Sequence, residues 1–223
     1  MTNKNGLVAL IALAFGGTVA HADIMSYAGT LSSPEDTVEY VLNLASAGTV
    51  TLQTYGFGGG TNAASTLIPA GGFDPLVGMF AGQGAAATLI DGTSDSYSNY
   101  GSFMGCPPAG MVDIGGLVCG DVTMSFSLVA GTYTVLLADA GYVPYAFSDP
   151  NSTLGDGFSD LTGGTFQTCN FQPDGTYTCA TDTANYALDI TAPVPEPSAV
   201  VLLGTFLLGL GALYGGGRLF RSR

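Results

Sequence analysis

Apolar and polar residues alternate with period two through most of the chain, and the runs are separated by glycine-rich turns. Val38, Tyr40, Leu42 and Leu44 alternate with Glu39, Val41 and Asn43; a turn follows at Ser46-Ala47-Gly48, and the pattern resumes at Val50, Leu52 and Thr54. That spacing predicts a hairpin, with residues 56–72 as a glycine- and alanine-rich surface loop behind it. A second hairpin is predicted from Gly71-Gly72-Phe73-Asp74-Pro75 through Leu76 and Phe80, turning at Gly82-Gln83-Gly84 and returning through Ala87 to Asp91. The plainest pattern is Val122, Met124, Phe126 and Leu128, a turn at Ala130-Gly131-Thr132, then Tyr133, Val135 and Leu137, which predicts a third hairpin with one apolar face. Residues 142–164 are polar and turn-rich. Strands are expected near 165–171 and 177–180, around Pro173-Asp174-Gly175, and a last one at 186–190. Roughly eight short strands at this spacing predict an all-β fold, a single β-sandwich of jelly-roll type.

The two ends have a different pattern. Lys4 precedes an apolar run from Leu7 to Phe15, and small residues lead into Ala20-His21-Ala22, an A-x-A cleavage pattern, so residues 1–22 are expected to be a signal peptide cut after Ala22 by signal peptidase. At the other end, residues 198–217 are uncharged and are followed by Arg218, Arg221 and Arg223. Twenty residues at about 1.5 Å each span the roughly 30 Å hydrocarbon core of a bilayer, so a transmembrane helix is expected there, its arginines on the cytoplasmic side. Between these ends lies a body, residues 23–192, long enough for one domain with a real core. Hydrophobic residues make up 47% of the chain, which argues against simple disorder.

Charge then narrows the chemistry. No Lys, Arg or His occurs between Asp23 and Glu196, and all 17 acidic residues fall inside that span. Such a surface repels nucleic acid and anionic membranes, which are bound mainly through basic side chains. It also lacks the His bases, Lys nucleophiles and Arg clamps of most catalytic designs. A carboxylate pair of the glycosidase type needs only Asp or Glu and is the one design left. The body and its tail hold just three glutamates, Glu35, Glu39 and Glu196. No catalytic activity is expected.

Four cysteines, Cys106, Cys119, Cys169 and Cys179, lie in the body, where export would favour pairing. Three connectivities exist; Cys106 with Cys119 and Cys169 with Cys179 are preferred, because each pair closes a short turn-rich segment. The first pair would also pin residues 93–120, a long irregular stretch holding Tyr97, Tyr100 and Pro107-Pro108. A zinc site is disfavoured by the absence of C-x-x-C spacing and of body histidine.

The order Val194-Pro195-Glu196-Pro197, one membrane-length apolar span and a terminal arginine cluster resembles the PEP-CTERM sorting domain of Gram-negative bacteria. The resemblance implies that residues 193–223 hold the precursor in the inner membrane until an exosortase processes it near Pro195, Glu196 and Pro197. It also implies a cell-surface or extracellular fate, often alongside exopolysaccharide. The Gly71 to Pro75 motif resembles that of a family of PEP-CTERM surface proteins related in pattern to pre-peptidase C-terminal β-sandwich domains. The segment from Ser127 through Gly131 and Tyr133 to Val135 is similar to the strand, glycine turn and Tyr-containing strand of the latter. The chain departs from that family where an Asn-Asp-Asp run would follow the Phe-Asp-Pro strand. Here it has Gly82-Gln83-Gly84 and then Asp91-Gly92-Thr93-Ser94-Asp95.

Two functions follow as expectations. The first is a non-catalytic structural or adhesive surface protein linked to extracellular polysaccharide. The alternative is a Ca²⁺-dependent carbohydrate-binding module in which Asp74, Asp91 and Asp95 supply oxygen ligands and Tyr97, Tyr100 or Tyr142 stacks on sugar. Against the alternative, Asp74 also suits a turn cap before Pro75, and the tyrosines suit loop packing.

Overall fold

The computed structural model describes residues 22–94, 120–171 and 176–194. The chain runs through β1 (Ala22–Thr30), β2 (Thr37–Leu44), β3 (Gly48–Thr54), the short β4 (Gly60–Thr61) and β5 (Leu67–Ile68), β6 (Pro75–Ala81) and β7 (Thr88–Ser94). It continues through β8 (Thr123–Leu128), β9 (Gly131–Asp139), β10 (Tyr142–Pro144), β11 (Phe158–Asp160), β12 (Gln167–Phe171), β13 (Tyr177–Thr181) and β14 (Asn185–Pro193). Three short 3₁₀ turns complete the described elements, and among the described residues no helix is long and apolar enough to cross a membrane. Of the expected signal peptide, residues 1–22, only Ala22 is described, as the first residue of β1; of the expected sorting tail, residues 193–223, only Pro193, which ends β14, and Val194 are described, and the expected transmembrane helix lies outside the described residues.

Two four-stranded antiparallel sheets carry the fold, one ordered β1-β14-β3-β8 and the other β2-β9-β6-β7. Their inner faces share one apolar core. Val50 and Leu52 of β3, Phe126 and Leu128 of β8, and Leu188 and Ile190 of β14 meet Leu42 of β2, Val77 and Met79 of β6, and Val135 and Leu137 of β9. The all-β expectation is met, in a sandwich-like arrangement. At one flank the Tyr27 and Tyr40 rings stack at 3.9 Å, and the Tyr40 hydroxyl lies 3.2 Å from that of Tyr186, which ties β1, β2 and β14 together.

Two of the three predicted hairpins are instead crossings between sheets. β2 pairs with β9 while β3 pairs with β14 and β8, so residues 45–47 arch across the core. Likewise β8 pairs with β3 and β9 pairs with β2 and β6, so Val129 and Ala130 form a second arch. Each arch keeps both strands' apolar faces turned inward, which is why the alternation survives. The β6–β7 pairing is a true hairpin, with a bulge at Ile90: Met79 faces Asp91 and Phe80 faces Leu89. β12 and β13 also pair antiparallel as consecutive strands, as do the short β4 and β5.

The two central strands of the second sheet, β9 and β6, are buried on both faces. Leu76 and Phe80 of β6 and Leu136 and Ala138 of β9 point away from the shared core into a second apolar cluster. Val143, Ala146 and Leu154 cover it from the segment between β10 and β11, which reads as polar and turn-rich in sequence. Gly78 and Gly92, paired across β6 and β7, open a slot for Phe147 of that segment. A Cβ built at Gly92 would overlap the Phe147 ring and come within 2.8 Å of the Val77 carbonyl oxygen. Gly92→Ala is therefore expected to destabilise the fold by about 1–3 kcal/mol through overpacking, read from urea unfolding midpoints. Substitution at Val41, which is 52% exposed, should stay within about 0.5 kcal/mol of the parent.

Candidate functional site: an acidic cleft

The strands place one cleft where β6 begins, β9 ends and the β12–β13 ribbon lies alongside. Asp74 and Asp139 come from the first two, Ala140, Gly141, Leu161, Thr162 and Thr165 from the adjoining loops, and Gln167, Thr168 and Cys169 from β12. The cavity is about 250 Å³. At roughly 30 Å³ per water, that is room for a hydrated ion or a small polar group.

Register sets its acids close together. Pro75 faces Asp139 across the β6–β9 pair, and the Ala140 amide donates to the Asp74 carbonyl at 2.9 Å, so Asp74 and Asp139 lie at neighbouring strand ends. Both side chains are buried. The Gly141 amide donates to Asp139 Oδ1 at 2.8 Å, and the Gly120 amide lies 3.3 Å from Asp74 Oδ1. Thr162, itself buried, has its hydroxyl oxygen 2.8 Å from Asp160 Oδ1 and 3.0 Å from Glu35 Oε1. A hydroxyl has one hydrogen and satisfies only one of those two acceptors at a time.

Asp182, just after β13, is 7% exposed. The Thr168 hydroxyl donates to its Oδ2 at 2.5 Å, while its buried Oδ1 has no hydrogen-bond partner among the described residues. The Cys169–Cys179 disulfide fastens the ribbon carrying Thr168, joining directly paired residues of β12 and β13. It matches the expected second bridge. Cys106 and Cys119 lie outside the described residues.

Burial pushes the Asp139 carboxyl up to about 6, helped by the charges of Asp182, Glu35 and Asp160 and opposed by the Gly141 amide. Asp182 is also raised by burial, with its Thr168 hydrogen bond acting against the shift. Glu35 moves the other way: hydrogen bonds from Ser33, its own backbone amide and Thr162 lower it. The described residues contain no Lys, Arg or His, so nothing in the wall neutralises these carboxylates internally. Chemically the cleft offers carboxylate and hydroxyl oxygen.

The expected calcium ligands are not assembled. Asp74 is in the cleft, but Asp91 sits exposed on β7 opposite Met79, five residues along β6 from Asp74. At about 3.3 Å per residue that is roughly 16 Å, beyond the reach of one ion. Asp95, with Tyr97 and Tyr100, lies outside the described residues. Tyr142 stacks on Phe158 at 4.5 Å, so one face of its ring is already covered. Ala22 is the first residue of β1, paired with Pro193; Pro195, Glu196 and Pro197 lie outside the described residues.

Glu35, Asp139, Asp160, Thr162, Thr168 and Asp182 were not singled out by sequence reasoning. Only Asp139 had a local signal: a carboxylate directly closing the apolar run from Val135 to Ala138. No protein-family model matches the chain, and no curated protein matches it.

A carboxyl raised in the folded state is stabilising while protonated and loses that contribution as pH rises. From an ordinary value of 3.8 to about 6 for Asp139, the loss is complete above about pH 7 and amounts to at most about 3 kcal/mol. In chelator-containing buffer, unfolding free energy should therefore fall between about pH 4 and pH 7, with Asp182 adding in the same sense. Asp139→Asn should flatten much of that slope; an unchanged slope in urea titrations would show that the shift is not realised.

Proposed function

We propose that the chain is an exported surface or extracellular-matrix protein of bacteria, processed by signal peptidase after Ala22 and sorted by an exosortase near Pro195, Glu196 and Pro197. Its body has a non-catalytic structural or adhesive role alongside exopolysaccharide. The observation that carries this reading is the Cys169–Cys179 bridge in a body without a single basic residue. Disulfides persist in oxidising compartments outside the cytoplasm, and a lysine-free acidic surface stays clear of anionic membranes and nucleic acid.

The fold supports the finer reading as well. Counting only the eight long strands in chain order, the two sheets run 1-8-3-6 and 2-7-4-5, the strand order of a jelly roll. Jelly rolls serve lectins and capsid shells, which suits a binding or scaffolding part, although fold alone assigns no ligand. The carbohydrate-binding alternative built on Asp74, Asp91 and Asp95 has no such support, since Asp74 and Asp91 lie apart.

Intact mass of the protein recovered from its native cells or medium tests the proposal. A chain beginning at Asp23 and ending near Pro195 to Pro197 is expected. A mass running through to Arg223 overturns exosortase processing, and retention of residues 1–22 overturns export by this route.

A further inference from the structure

We infer that the acidic cleft binds a sugar carrying a free primary amine, a hexosamine unit, with the carboxylates of Asp139 and Asp74 taking the ammonium and Gln167, Thr165 and Leu161 taking the ring. In naming a sugar the inference deepens the polysaccharide reading above and rests on it. All five residues line the same cavity of about 250 Å³. Asp139 is the anchor. It is 7% exposed, and its Oδ1 accepts from the Gly141 amide at 2.8 Å, while its Oδ2 accepts from no group among the described residues. The sealed side-chain oxygens without a partner among those residues are Oδ1 of Asp182 and Oδ1 of Asp189, so Oδ2 of Asp139 is not closed off and opens to the cavity its residue lines. A carboxylate oxygen held in this way is costly to leave without a donor.

The charge of the ligand follows from the wall. No Lys, Arg or His stands among the described residues, so a ligand that brings its own positive charge meets two carboxylates and no competing cation. A metal ion fits less well, because no three His, Cys, Asp or Glu side chains among the described residues surround one point. An ammonium needs no such shell. Its three N–H donors are directional, and Oδ2 of Asp139 with the Asp74 carboxylate gives it charged acceptors at neighbouring strand ends.

The rest of the wall selects what carries the amine. Gln167 and Thr165 are exposed, and neither side chain has a hydrogen-bond partner among the described residues, so an amide and a hydroxyl stand free to meet sugar hydroxyls. Leu161, 68% exposed, offers an apolar surface beside them, against which the C–H face of a ring packs. At about 30 Å³ per water the cavity holds roughly eight waters, the room of a single sugar ring.

The test uses the full chain in mild detergent and near-neutral buffer, with glucosamine, N-acetylglucosamine, glucose and ethylamine titrated in turn and followed by backbone amide NMR shifts. Glucosamine is expected to bind with Kd on the order of 1 mM, the range open to one small ring, and to move the amides of residues 139–141 and 161–169. Capping the amine in N-acetylglucosamine, or removing it in glucose, should weaken binding at least about tenfold, and so should Asp139→Asn. Ethylamine, which has the charge and no ring, should bind several-fold more weakly than glucosamine, and Asp91→Asn should change nothing. Should Asp139→Asn fail to fold, Gln167→Ala at its exposed position is the second variant and should weaken glucosamine binding by about three- to tenfold. The inference is overturned by no shifts at about 10 mM glucosamine, ten times the expected Kd. It is equally overturned by glucose binding as tightly as glucosamine, by unweakened binding in the variants, or by shifts confined to other residues. Ethylamine matching glucosamine overturns the assignment to a sugar. The intact-mass measurement reads export and sorting alone, so a failure of that reading and a failure of this one are told apart.

Discussion

Carboxylates without cations govern how this protein is held together. With no basic side chain in the described residues, the acids are met by N–H and O–H donors where they are met at all, and many of those donors belong to the loops. Asp121 accepts from the Thr54 hydroxyl at 2.9 Å and from the amides of Phe57 and Gly58, so it clamps the start of the long excursion between β3 and β6. Asp189, on the central strand β14, holds the same excursion through the Ala63 amide at 2.7 Å. Asp36 caps the turn at Ser32 and Ser33, and Asp156 closes a capping box with Thr153. Where other proteins tie loops with ion pairs, this one uses charge-assisted hydrogen bonds to backbone, which are the stronger kind. The arrangement spends carboxylates on local geometry and leaves their charge uncompensated.

That residual charge matters most where the two apolar cores meet the end of the sandwich. β6 and β9 are buried on both faces because the segment between β10 and β11 covers their outer side. Their ends are thus the places where a polar side chain can no longer reach bulk water freely. Asp74 and Asp139 occupy those ends, and the disulfide-fastened ribbon brings Thr168, which donates to Asp182, into the same cleft wall. The cleft lies beside the fold's second core, its wall made by the loops around Gly141 and Thr162 and by β12.

Much of this was legible in the sequence and the rest was hidden for physical reasons. Period-two alternation located the long strands of the body other than β1 (Ala22–Thr30), whose residues were not read as a strand, because each of the others has one face in the shared core. It misassigned the partners of β2 with β3 and of β8 with β9, since alternation reports which face is buried and says nothing about which sheet supplies the neighbour. The unbroken run Val135-Leu136-Leu137-Ala138 carried the sign of a doubly buried strand, which an apolar covering element had to match; the element turned out to be the polar-looking stretch after Tyr142. The cleft was less legible. Its polar members come from positions 74, 139, 162, 165, 167 and 168, brought together by sheet register and the adjoining loops, and no local spacing encodes that meeting. The motif that drew attention, the Asp of Gly71 to Pro75, does lie in the cleft, but its expected companion Asp91 belongs to another part of the sheet.

The absence of basic residues first served to exclude nucleic acid and most catalysis. In the folded chain the same absence acquires a constructive meaning. A lysine or arginine near Asp139 and Asp182 would have quenched the cleft with an internal salt bridge, fixed and indifferent to its surroundings. Without one, Asp139 keeps its carboxyl raised by burial, and protonation is what neutralises it as pH falls. The charge pattern and the geometry of the cleft thus act together: the first leaves Asp139 without a basic partner, and the second buries it.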